Sequence, residues 1–398
     1  MTTISSRPGH PARRPRVAII GAGMIAAVHR RAALLAGAEV VGVLASTPQR
    51  SREIAEKWGL PIGFDNLDDL LGADVDLVHI CTPNALHAPY ALRAIQAGKH
   101  VICEKPLGLD VNEASEMVAA STAAGVIAAV PFVYRYHPLV HEIRTRRIAG
   151  EFGSWNLIHG SYLQDWMLDK AANSWRVDPA LGGASRAFGD IGSHWCDLVE
   201  WVSGERIASL TAAVSTAHRE REVSGATTFQ RASPNGLSGV SHGGTAVAER
   251  PTVQVTTEDS AVVSFRTESG VLGNLTVSQV AAGRKNRLWF ELDGATGSAV
   301  FDQESPEIIW LGSELGMTVV ARGPQHGSVQ QRQRDPLPAG HSRGYAQCFE
   351  DFVADTYAAI DGARPESLPT FADGLRSARL IETLLRSAAT GQWVEVSP

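Results

Sequence analysis

The stretch "VAIIGAGMIAAVH", Val17 to His29, limits the fold more than any other in this chain. A short apolar run leads directly into G-x-G-x-x-A, and helix-forming residues follow. In such a turn Gly21 permits the tight bend, Gly23 lets an anion such as a pyrophosphate approach the backbone, and Ala26 allows the helix to pack closely on the strand. Met24 and Ile25 open that helix, whose N-terminal end attracts an anion. A glycine pattern alone is weak. The strand before it and the helix after it make it specific, and together they predict a dinucleotide site.

Beyond this turn the same rhythm continues. "VVGVL", "DLVHIC" and "VICE" are apolar runs separated by the helical stretches "SREIAEKWG" and "PYALRAIQAG". Continuous apolar strands alternating with helices predict a parallel, doubly wound α/β sheet over residues 16–137. After His137 the texture changes. "TVQVTTE", "AVVSFRT", "VLGNLTVSQV" and "RLWFELDG" alternate in polarity, with turn signals between them. They predict a large, mostly antiparallel sheet with one face solvated, in a second α+β domain over residues 138–398. Thr216 to Arg250 is rich in Gly, Ser and Thr and reads as a long loop. Helical spacing returns near the end, and the helices within residues 343–390 are candidates to pack back on the first domain.

Composition narrows the partners. The 398 residues carry a formal net charge of -6, which offers no attraction to nucleic acid or to an anionic membrane. A small molecule is the expected ligand. Cys81, Cys103, Cys196 and Cys348 lie too far apart for a zinc motif or a disulfide framework, so no metal and a reducing, cytoplasmic location are expected. Arg13 and Arg14 would suit a twin-arginine export signal, but the run after them reads better as a first strand. The leader, residues 1–15, is expected to be disordered. No apolar run is long enough to span a bilayer.

Several strand ends carry chemistry. After "VVGVL" an NAD site wants a carboxylate for the ribose hydroxyls, yet the chain offers Ala45, Ser46, Thr47 and Arg50. Hydroxyls and a guanidinium suit a 2′-phosphate, which favours NADP. NAD stays open, since Ser46 and Thr47 also suit a helix cap. Thr82, Pro83, Asn84 and His87 in "ICTPNALH" are candidates to line the cofactor crevice, although Pro and Asn are also common turn formers. "CEKP" ends another strand, so Glu104 and Lys105 should reach the same crevice, where an ammonium can stabilise an alkoxide-like oxygen. Lys105–Pro106 is also the kind of bond that adopts the cis form. Taken alone, Lys105 is equally a surface lysine. In "GDIGSHWCDL" a continuous helix would put Asp190, His194 and Asp197 at i, i+4 and i+7 on one face. A carboxylate one turn from a histidine suits proton transfer, and a polar helix face packed on the sheet is the competing explanation.

In combination, "GAGMIAAVH", "TPNALH", "EKP" and "GDIGSHWCDL" resemble the Gfo/Idh/MocA family of sugar and polyol oxidoreductases, and "FADGLRSARLIETLLRSAATGQWVEV" is similar to its closing helices. The resemblance implies an N-terminal Rossmann domain and a C-terminal domain whose open sheet makes a homodimer or homotetramer. It implies Lys105, Asp190 and His194 as catalytic residues, with Asp197 at a recurrent position near the substrate. Ala45 departs from the acidic residue of many members, which again favours NADP. The activity implied is hydride transfer between a nicotinamide cofactor and a secondary alcohol of a sugar, inositol or related polyol. Within "GSYLQDWMLDKAANSWRVD", Gln164, Asp165, Trp166 and Arg176 suit stacking on and hydrogen-bonding to a polyol. Tyr134, Arg135 and His341 are further candidates. Two rivals remain: a redox-assisted glycosidase of the same family and a non-catalytic nucleotide-sensing regulator.

Overall fold

The computed structural model of the protein describes residues 14–222, 252–325 and 327–397. Almost all of the leader and most of the expected loop Thr216–Arg250 lie outside the described residues. The first sheet contains β1 (Arg16–Ile20), β2 (Glu39–Leu44), β3 (Ile62–Gly63), β4 (Leu77–Ile80), β5 (His100–Cys103) and β6 (Ala128–Ala129), in the order β3-β2-β1-β4-β5-β6. Every neighbouring pair is parallel. Its central strands are apolar on both faces because both faces are covered. The helices Met24–Leu35 and Tyr345–Ile360 pack on one side, and His87–Gln96 and Val111–Ala124 on the other.

The second sheet combines β7 (Trp155–Leu163), β8 (Ile207–Ser215), β11 (Ser260–Thr267), β12 (Leu272–Ser278), β13 (Arg287–Gly294), β14 (Ser298–Asp302), β15 (Ile308–Ser313), β16 (Gly316–Ala321) and β17 (Val394–Glu395). Their order is β16-β15-β14-β13-β7-β12-β11-β8-β17, antiparallel throughout except for β12 beside β7. Alternate residues, such as Ala261, Val263 and Phe265, point into a core shared with the helices Pro138–Ile148 and Ser193–Ser203. "TVQVTTE" departs from expectation. It forms only β10 (Thr252–Gln254), which pairs with β9 (Glu220–Glu222) in a separate two-stranded ribbon.

The C-terminal helices join the two cores. Phe349, Phe352 and Val353 of Tyr345–Ile360 pack with Val17 and Ile19 of β1, while Phe371–Thr390 sends Ala378 to the first core and Leu384 to the second. All four cysteines are buried and unpaired. Among the described residues no helix is long and apolar enough to cross a membrane.

Candidate active site

The glycine turn has the geometry that an anion needs. Gly21 sits at φ +110°, and a Cβ built there would come within 2.5 Å of the Cys81 carbonyl oxygen, so only glycine fits. Around Gly23 a Cβ would meet nothing within 4 Å, so the protein itself does not require glycine there. The helix Met24–Leu35 begins at Gly23 with no side-chain cap and no acidic residue in its first turn. Its first N–H groups, including those of Met24 and Ile25, are free for an outside acceptor. Ala26 is fully buried against the sheet. The hydroxyl of Thr82, beyond the end of β4, is enclosed with no hydrogen-bond partner among the described residues. These features fit a dinucleotide lying along the carboxyl ends of the strands.

Other candidates on the cofactor side have work within the protein. Thr47 caps the helix Pro48–Trp58 by accepting the Arg50 backbone N–H, while the Arg50 side chain pairs with Glu53 on the surface. Ser46 is exposed. Asn84 donates to the Gly182 carbonyl, and the two ring nitrogens of His87 face the carbonyls of Pro106 and Thr82, which makes it a strut between two crevice loops.

Lys105 lies just past β5, and its bond to Pro106 is cis. Its ammonium donates to the Asp190 backbone oxygen at 2.6 Å and to Asp190 Oδ1 at 2.7 Å, both groups being nearly enclosed. Gln279 donates to Asp190 Oδ2 at 2.8 Å, and Arg176 Nε stands 3.5 Å from Oδ1. Burial opposes the charge on Asp190, but Lys105 and Arg176 outweigh it and hold the carboxyl well below the usual carboxylate range. His194 lies beside this pair. Burial, and then the Lys105 cation, push its imidazole well below the ordinary histidine range, with Asp190 offsetting part of the shift. The ring packs edge-on against Phe132 and Tyr134, and its enclosed Nδ1 has no hydrogen-bond partner among the described residues. A neutral imidazole with a free lone pair beside a fixed ammonium can accept a proton from a hydroxyl held by that ammonium.

Three comparisons with known proteins bear on this geometry. The family described as "Oxidoreductase family, NAD-binding Rossmann fold" matches residues 15–132, and the "GFO/IDH/MocA C-terminal domain" matches residues 140–300. The chain belongs to the Gfo/Idh/MocA oxidoreductases. Among relatives of this family, levoglucosan dehydrogenase of Pseudarthrobacter phenanthrenivorans is 31% identical over 88% of each chain. Glucose-6-phosphate 3-dehydrogenase of Bacillus subtilis is 26% identical over 96% of this chain and 99% of its own. A solved levoglucosan dehydrogenase with NADH and levoglucosan superposes with a TM-score of 0.84 at 27% identity, covering 97% of this chain and all of that one (100%).

In this Gfo/Idh/MocA chain, several of the residues expected at the substrate form one hydrogen-bonded wall. Tyr134 and Tyr162 share a hydroxyl contact of 2.7 Å, and both bond to Asn286. Gln164 donates to the same Asn286 and accepts from Trp166 Nε1. Arg176 lies over the Trp175 ring, 4.4 Å from its centre. Asp165 is bound by Lys285 and the Gly283 N–H, tying two loops together. His341 is exposed; its carbonyl accepts from Arg322 and its backbone N–H donates to the Pro338 carbonyl. Asp197 does not join Asp190 and His194. Phe188–Gly192 forms a π-turn between Asp190 and His194, whereas His194 and Asp197 share the regular helix Ser193–Ser203. Asp197 is instead gripped by Arg135, which also bonds Asp373. Gln279 and Asn286 were missed because each is a lone amide flanking a strand of the second sheet, with no motif around it.

Proposed function

We propose that the protein interconverts a secondary alcohol and a ketone on a sugar or polyol with a nicotinamide cofactor. The observation that carries this reading is His194, its Nδ1 without a hydrogen-bond partner among the described residues and its pKa held low by burial, beside an ammonium fixed by Asp190 and next to a glycine turn open to a pyrophosphate. Bound NAD(P)+ supplies the hydride acceptor. The remaining tasks fall to the chain's own side chains. His194 takes the hydroxyl proton at Nε2. Lys105 has a third N–H beyond the two used by Asp190, and donates it to the reacting oxygen, where it stabilises developing negative charge. Asp190 has both carboxylate oxygens engaged, so it positions Lys105. In the carbonyl direction His194 returns the proton.

A carbohydrate substrate is supported by the amide, hydroxyl and indole groups of the wall, and by relatives named for levoglucosan, glucose 6-phosphate and inositol. NADP is the cofactor we favour, because Ala45 rather than a carboxylate stands at the end of β2 and Ser46 and Arg50 are exposed beyond it. The outer face of the second sheet, with Val262 and Leu272 exposed on it, suits contact with a second copy of the chain.

The test is a screen of levoglucosan, inositols and pyranoses with NAD+ and NADP+ separately, followed by absorbance of the reduced nicotinamide. Lys105→Ala and His194→Ala should each lower kcat by at least about a hundredfold with cofactor Kd nearly unchanged. Normal turnover in either variant overturns the mechanism. Activity confined to NAD+ overturns the cofactor preference.

A further inference from the structure

Behind Lys105 runs a line of buried polar groups that the mechanism above does not use. Glu104 Oε2 accepts the Lys105 backbone N–H at 3.2 Å, and Oε1 lies 3.0 Å from His29 Nε2. His29 Nδ1 is 2.8 Å from His79 Nδ1, and His79 Nε2 is 3.0 Å from the Tyr357 hydroxyl. Both histidines are fully enclosed, and Glu104 and Tyr357 almost so. The four residues come from the helix Met24–Leu35, from β4, from the end of β5 and from the helix Tyr345–Ile360.

Hydrogen-bond chemistry gives this line a direction. A carboxylate only accepts, so His29 carries its proton on Nε2, and its neutral ring then presents a lone pair at Nδ1. His79 must therefore carry its proton on Nδ1, which leaves Nε2 to accept from the Tyr357 hydroxyl. Every group is satisfied in this arrangement. The opposite polarity needs a protonated Glu104 or a doubly protonated His29, and it leaves the Tyr357 hydroxyl proton without an acceptor, since His79 is that hydroxyl's one partner among the described residues. The favoured polarity and the ionised Glu104 thus stabilise each other.

We propose that His29, His79 and Tyr357 are positioning residues that hold Glu104 as an oriented carboxylate beside the nicotinamide site and bias that site toward the oxidised cofactor. This rests on the reading of the β5 end as the place of hydride transfer. An oxidised nicotinamide ring is cationic and a reduced one is not, so a fixed anion nearby discriminates between them. Lys105, the neighbouring cation, acts on Glu104 but is itself paired with Asp190 at 2.7 Å, which offsets part of its opposition to the field of Glu104.

The tautomers can be read directly, without cofactor, by nitrogen NMR of the full chain carrying labelled histidine. We expect Nε2–H at His29 and Nδ1–H at His79; the Nε2–H form at His79 overturns the relay. Fluorescence and calorimetric titrations then give Kd for the oxidised and reduced forms of NADP and of NAD. Glu104→Gln should shift the oxidised-to-reduced preference by about tenfold toward the reduced form, and Tyr357→Phe should shift it by about threefold the same way. Binding of ADP-ribose, which lacks the nicotinamide, should stay unchanged in both. Cofactor binding with an unchanged preference in both variants overturns the relay's role alone. Absence of any cofactor binding by the unaltered chain overturns the functional reading with it.

Discussion

The same chemical change two residues apart should have opposite consequences in this protein. Gly21→Ala adds a methyl group 2.5 Å from the Cys81 carbonyl oxygen, at a φ of +110° that L-residues avoid. The backbone conformation alone costs about 1–3 kcal/mol, and relieving the overlap adds to it, so we expect at least about 3 kcal/mol of lost stability. For a chain of this size that lowers Tm by at least roughly 3–4 °C. Gly23→Ala adds the methyl group where nothing lies within 4 Å, at an extended φ of -80° that alanine adopts freely. Its effect on the cofactor-free protein should stay within about 1 kcal/mol, a weaker helix cap being offset by reduced freedom of the unfolded chain. The methyl group does occupy the approach of the pyrophosphate, so cofactor Kd should rise at least about tenfold, or 1.4 kcal/mol. Thermal unfolding without cofactor and fluorescence titration with NADPH and NADH measure both quantities. Wild-type cofactor affinity in Gly23→Ala would refute the assignment of this turn as the phosphate cradle. An unchanged Tm in Gly21→Ala would refute the contact with Cys81.

His194 should stay neutral to pH values below the ordinary histidine range, so alcohol oxidation falls off only under more acidic conditions. Asp190→Asn removes the carboxylate that raises its pKa and should move the ring's NMR titration lower still, whereas Lys105→Met removes the cation that lowers it and should move the titration up. Gln279→Leu leaves Asp190 Oδ2 without its amide donor, and should cost about 1–3 kcal/mol in stability by calorimetry and slow turnover in the steady state. Asp197→Ala strips Arg135 of its bidentate partner in a buried setting; we expect a loss of about 3–5 kcal/mol in denaturant unfolding with cofactor Kd unchanged, and a normal stability would count against a structural role.

The range over which each contact acts separates what residue order conveys from what it hides. The glycine turn is local: Gly21, Gly23 and Ala26 act within one strand-to-helix bend, and the apolar strands around it are long enough to show their pattern. Lys105 is legible for a related reason, since a charge at the end of a buried strand must emerge at the sheet's carboxyl edge. The two-residue strands β3 and β6 are too short to carry any period. Asp197 shows how a local rule fails. Helical spacing put it with His194, but Arg135, 62 residues away, captures the carboxylate. The relay lies beyond any local rule. His29 and His79 are 50 residues apart, and His79 and Tyr357 are 278 apart, so their contact exists only because the helix Tyr345–Ile360 packs back across the first sheet. In order along the chain, His79 is one polar residue within the apolar run "DLVHIC". A buried imidazole with no nearby partner would be costly, so the fold that crosses this helix over β4 also supplies the hydroxyl that satisfies it. If Glu104 is held as an anion in this way, a C-terminal helix remote from the substrate takes part in setting the cofactor's redox preference.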